Sequence, residues 1–171
     1  YLQANTNAEM LIDVTTGQPL EMKKGEKHED YLVFCEQAGE PAFKSLAEKP
    51  ALTGSFTVNG IEVKTALQML MDEAAKYTPA WAAEICDVPA DRIIATADKL
   101  NGAKPKVFIE RGYRSTRYAN SLKEKHVIVM INSLLGAIGA KGGMIMQRKA
   151  KVGSYMKPPK TDEISVAKHY R

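Results

Sequence analysis

A chain of 171 residues with 44% apolar and 26% charged side chains has an ordinary globular composition, which excludes wholesale disorder, collagen-like repeats and a disulfide scaffold. Its net charge of +4 hides a polarity: residues 1–100 carry 9 basic and 16 acidic side chains, and residues 101–171 carry 15 basic and 4 acidic. The basic part is expected to face something anionic or to form a solvated tail. Cys35 and Cys86 stand 51 positions apart, with no second cysteine or histidine pair near either, so no metal-ligand spacing is present. The opening at Tyr1, without Met or an apolar leader-like run, reads as a cut inside a longer polypeptide.

Along the chain, Met10-Leu11-Ile12, a turn at Thr16-Gly17-Gln18-Pro19 and an apolar strand Tyr31 to Cys35 ending in a Gly39 to Pro41 turn predict a peripheral β arm. Phe56-Thr57-Val58 and Ile61-Glu62-Val63 flank Asn59-Gly60, the dipeptide favoured by type I′ turns, and predict a tight hairpin. At Thr65 the period changes to that of a helix. Thr65 and Thr78-Pro79 are helix starts, and Trp81, Ile85 and Cys86 are expected to form a buried side. Pro89 and Asp91 open a third helix that Asn101-Gly102 is expected to end.

Lys106 to Glu110 reads as a strand, residues 111–117 as a polar loop, and residues from about Ala119 to Leu135 as a helix stopped by Gly136. The fold class is therefore α/β: a β arm with a hairpin, short helices and a strand-loop-helix unit. Residues 1–64 are assigned to the β-rich arm or insert, 65–145 to the α/β portion and 146–171 to a basic extended tail. The apolar run Val127 to Ile131, continued by Leu134 and Leu135, is interrupted by Asn132 and Ser133 and is too short to cross a bilayer.

Loop 111–117 holds Arg111, Arg114 and Arg117 between a strand and a helix, where a planar, permanently charged fork can grip two oxygens of an anion. The competing reading is that these arginines pair with acidic neighbours in the chain. The glycines from 136 to 143 follow a helix, whereas a dinucleotide fingerprint follows a strand, so they are read as a helix stop and a sharp backbone turn. His28, His126 and His169 are widely spaced, and the adjacent pairs Asp72-Glu73 and Asp162-Glu163 diverge on a helix; none is assigned catalysis. Tyr113, Tyr118, Tyr155 and Tyr170 interleave with basic residues, but no nucleic-acid-binding module is legible.

Four pieces in order, Tyr77 to Ile93, Ala103-Lys104-Pro105, Arg111-Gly112 and Ile131 to Gly143, resemble the middle of molybdopterin oxidoreductase catalytic subunits of the dimethyl-sulfoxide-reductase superfamily. The preceding hairpin region is similar to an insert in the polysulfide, thiosulfate, tetrathionate and arsenate reductase branch. The resemblance implies a molybdenum or tungsten ion held by two molybdopterin guanine dinucleotides in the intact subunit, with an iron-sulfur cluster outside this segment. No metal ligand is carried over. Arg114 is carried over as substrate-facing, and Arg111, Gly112, Thr116 and Arg117 as cofactor contacts. The implied partners are the rest of the same subunit, an iron-sulfur electron-transfer subunit, a membrane anchor subunit and an anionic small molecule, with no nucleic acid. A periplasmic or membrane-associated location is implied through those subunits, and the segment alone is expected to be inactive. The alternative is a stand-alone α/β module binding an anionic ligand or an acidic partner.

Overall fold

The computed structural model describes residues 1–25, 29–110, 112 and 119–145. After a short turn of helix α1 (Leu2–Asn5), two small antiparallel sheets occupy the chain up to Thr65. One has the order β1 (Leu11–Asp13), β6 (Ile61–Thr65), β5 (Ser55–Val58); the other runs β2 (Met22–Lys24), β3 (Glu29–Cys35), β4 (Glu40–Phe43). The hairpin forms as predicted: Asn59 and Gly60 take φ of 51° and 81°, the paired left-handed conformations of a type I′ turn, and Val58 faces Ile61.

Alternation along β3 turns Tyr31, Val33 and Cys35 inward. Leu11, Val58 and Val63 are buried at the centre, with Leu20, Leu32, Phe34 and Phe56 packed around them. The Phe34 and Phe56 rings stack across the two sheets at 3.9 Å between centroids. The main apolar cluster of the described residues thus lies in this β-rich part, where bulky residues of the short strands close on one another. Pro41 lies in strand β4, opposite Phe34, rather than in the preceding turn. As β4 is an edge strand, a residue without an N–H is tolerated there.

A charged cluster is sealed into the same region. Glu9 is fully buried and paired with Lys44, whose ammonium also donates to the Tyr31 hydroxyl at 2.9 Å and the Gln3 carbonyl at 2.7 Å. Tyr31 in turn donates to Glu9 Oε1 at 3.2 Å. Burial raises the Tyr31 hydroxyl above its ordinary range; burial would lower Lys44, but the hydrogen bonds it donates to Glu9 and Tyr31 prevail and raise it.

The helices are α2 (Ala66–Ala74), α3 (Pro79–Cys86), α4 (Ala90–Ala103) and α5 (Ser121–Leu134). Thr65 Oγ1 accepts from Gln68 N and Thr78 Oγ1 from Trp81 N, both at 3.2 Å, so the two predicted threonine caps are in place. The expected burial of α3 is not: Trp81, Ile85 and Cys86 are exposed, Ile85 at 64%. Helical spacing collected them on one side, but no described element lies over it. Helix α4 also runs through Asn101-Gly102 to Ala103, since Gly102 keeps a helical φ and the chain leaves at Lys104 in an extended conformation. An apolar cavity of about 240 Å³ lies between α2 and α5, lined by Leu2, Leu67, Leu70, Val129, Met130 and Leu134. No helix among the described residues is long and apolar enough to cross a membrane.

Candidate functional site

The site is the described chain from Pro105 to Glu110, with Gly112, next to the residues predicted as a loop. Residues 107–110 form no helix and join no sheet, so the predicted strand has no ladder partner among the described residues. A side chain takes that place. Asn132, fully buried on α5, accepts from Ile109 N through Oδ1 at 2.8 Å and donates from Nδ2 to Ile109 O at 3.0 Å. A carboxamide has one acceptor and two donors on one plane, so it satisfies both backbone groups of a residue as a neighbouring strand would. Its second donor reaches Ile128 O at 3.0 Å on its own helix.

One step further along, Lys125 Nζ donates to Gly112 O at 2.9 Å. Gly112 has φ of +69°, a left-handed conformation that a side chain would strain. On the other flank, Gly136 ends α5 with φ of +66°. Gly136 N donates to Ser133 O at 2.9 Å and Ala137 N to Asn132 O at 3.0 Å, the paired bonds of a Schellman end. The following turn closes on itself: Gly139 N donates to Met144 O and Met144 N to Ala137 O, both at 2.8 Å.

That turn packs against the chain leading to the loop. A Cβ on Gly143 would lie 2.3 Å from Ala137 O and 2.8 Å from Pro105 O. The Lys104-Pro105 peptide is cis. Stretch 131–143 therefore meets the preceding chain at two points, Gly143 at Pro105 and Asn132 at Ile109. Most of the glycine turn's N–H groups are engaged internally, as expected of a helix stop and sharp turn and not of a phosphate cradle.

Among the candidate residues, Gly112 lies in this framework, while Arg111, Arg114, Thr116 and Arg117 lie outside the described residues. His28, His169, Asp162 and Glu163 also lie outside them, as does the tail from residue 146 on. Asp72 and Glu73 diverge as expected, the first held by Lys64 and Gln68, the second by Lys76 and Tyr77. No group of three His, Cys, Asp or Glu side chains among the described residues gathers to hold a metal. The described residues thus hold the chain at Ile109 and Gly112, and no metal-ligand group or evident pterin cradle lies among them. Asn132 and Lys125 were missed as framework residues; the available signal was an asparagine breaking an otherwise apolar helical run.

No family model matches the chain. Dimethyl sulfoxide reductase DmsA of Escherichia coli is 40% identical over 87 residues, 51% of this chain and 10% of that protein. Dimethylsulfide dehydrogenase subunit alpha of Rhodovulum sulfidophilum is 35% identical over 95 residues, 56% of this chain and 10% of that protein. The thiosulfate reductase molybdopterin-containing subunit PhsA of Salmonella typhimurium is 32% identical over 85 residues, 50% of this chain and 11% of that protein. The matched stretches span about a tenth of the length of these relatives.

Proposed function

Because half of this chain is homologous to catalytic subunits of the molybdopterin-dependent dimethyl sulfoxide reductase family, we propose that it is a central portion of such a subunit. The intact subunit is then an oxidoreductase reducing a sulfur or arsenic compound such as polysulfide, thiosulfate, tetrathionate or arsenate. The three relatives are named for sulfur compounds, which favours sulfur over arsenic. The bound group would be molybdenum or tungsten with two molybdopterin guanine dinucleotides, able to take up electrons in pairs and exchange an oxygen or sulfur ligand. Electrons would arrive through an iron-sulfur cluster and partner subunits, in the periplasm or at a membrane.

In this reading Arg114 faces the substrate, while Arg111, Gly112, Thr116 and Arg117 line the cofactor. A fixed guanidinium would attract an anion and stabilise charge developing on it during transfer. The observation that carries the reading is the homology of about half the chain to such subunits; the meeting of stretch 131–143 with Pro105 and Ile109 is compatible with it. The exposed apolar side chains of α3 and α5, Trp81, Ile85, Val127 and Leu134 among them, also suit a segment that the rest of a subunit covers.

The test is metal and pterin analysis of the intact subunit from its native host, alongside assays with sulfur and arsenic oxyanions. Wild type is expected to hold molybdenum or tungsten and two pterins. Arg114→Ala is expected to keep them and lose activity by about 100-fold. A subunit without metal or pterin would leave the anion-binding module as the reading.

A further inference from the structure

We infer that residues 1–10 are a strap that fastens the glycine turn behind α5 to the β-rich part, with Glu9, Lys44 and Tyr31 as its fixed end. Its contacts reach far along the chain on both sides. On the β side, Lys44 Nζ donates to Gln3 O at 2.7 Å and Thr6 O at 3.3 Å, and the Tyr31 hydroxyl donates to Thr6 O at 3.3 Å as well. Gln3 Nε2 adds a bond to Pro50 O at 2.8 Å. On the helical side, the Tyr1 hydroxyl donates to Ile138 O at 2.9 Å, 137 positions away in sequence. The Tyr1 ring lies over Gly136, where a Cβ would stand 3.4 Å from Tyr1 Cγ. Between the two ends, Ala8 O accepts from Leu67 N at 2.8 Å and Met10 O from Ala66 N at 2.9 Å. Leu2, Thr6, Asn7 and Ala8 also form one wall of the apolar cavity that α2 and α5 close from the other sides.

The β end is firm because charge is sealed into it. Glu9 is fully buried and Lys44 is its counter-charge, so removing the ammonium alone would leave a carboxylate inside without a partner. The same ammonium serves Gln3 O, which lies in the last turn of α1, where carbonyls lack helical donors. The other end is held more lightly, by one ring and one hydroxyl. What happens to the glycine turn reaches the candidate site, because Ala137 N donates to the carbonyl of Asn132, the residue that holds Ile109. The strap thus ties the setting of that site to the β-rich part.

Amide hydrogen exchange of the full chain tests this. Lys44→Met is made together with Glu9→Gln, so that no unpartnered charge stays inside, and Tyr1→Ala removes the opposite end. Each is expected to speed exchange at Leu67, Gly136 and Ala137 by about tenfold, and by more than in β6, the central strand of its sheet. Combining the two ends should add little, since either change frees the same segment. Tyr1→Phe, which keeps the ring and loses the hydroxyl, should fall between wild type and Tyr1→Ala. Wild-type exchange at Gly136 and Ala137 in the Glu9/Lys44 variant overturns the inference, as does an acceleration no greater than in β6, or factors from the two ends that simply multiply. Should that variant not fold, Tyr31→Phe, which removes one donor to Thr6 O, takes its place with the same outcomes.

Discussion

The β-rich part up to Thr65 and the helical part after it treat their apolar residues in opposite ways. In the first, Leu11, Val33, Val58 and Val63 are at most 4% exposed, and two sheets close over them. In the second, α2, α3 and α4 bury no residue, and the buried positions of α5 are the polar Ser121 and Asn132. Helix formation there follows from spacing and, at α2 and α3, from threonine caps, which are local; burial needs a partner surface, which the described residues do not supply. The two parts thus separate what a sequence settles by itself from what it settles only in company.

The widest gap should appear in stability. Leu11→Ala is expected to cost about 2–5 kcal/mol, whereas Ile85→Ala, at a 64% exposed position, should stay within about 0.5 kcal/mol. Urea unfolding of the 171-residue chain followed by circular dichroism would measure both, and equal costs would erase the contrast. A smaller effect, in the helical part, comes from the one place where backbone meets backbone closely. Gly143→Ala would press a methyl group into Ala137 O and Pro105 O, at about 1–3 kcal/mol. Amide exchange at Lys106 and Met144 should accelerate together in that variant, and no change at either would mean the turn and the approach segment are not packed as described.

The smallest effect distinguishes the parts by pH and salt. The Ser45 hydroxyl, at 2.6 Å, outweighs burial and holds the Asp30 carboxyl below its ordinary range. A carboxyl lowered on folding stabilises above its unfolded pKa of about 4 and loses that contribution as pH falls through the lowered value. Asp30→Asn should therefore flatten the acid limb of the β part's unfolding curve below about pH 4. The Lys76–Glu73 pair lies on the helical surface with both side chains more than half exposed, so about 1 M salt should erase its influence. The Asp30 effect should persist in the same salt.

The sequence was most legible where conformation is decided within a few residues. Asn59-Gly60, the threonines at 65 and 78, and Gly136 each impose a local geometry, and each turn, cap or stop is found there. Trp81, Ile85 and Cys86 misled because periodicity identifies an apolar side but not what covers it. Asn101-Gly102 misled because a glycine permits a left-handed stop without requiring one. Of the site, Gly112 came from the family resemblance, and the three arginines of 111–117 lie outside the described residues. The scaffold was not legible, since the contact between Asn132 and Ile109 joins positions 23 apart and leaves no periodic trace. Val107 to Glu110 has the residues of a strand, but strand identity belongs to a pair, and the partner of Ile109 is a side chain.

Trp81 is the single tryptophan of the chain. It sits 46% exposed on α3, with the Tyr77 ring edge-on at 5.1 Å. An indole so placed emits from a largely aqueous environment and is far in sequence from the residues of the β core. Its fluorescence is accordingly a built-in gauge of one event: a shift to shorter wavelength registers the covering of the helical face, with no label attached and no signal from the sheets.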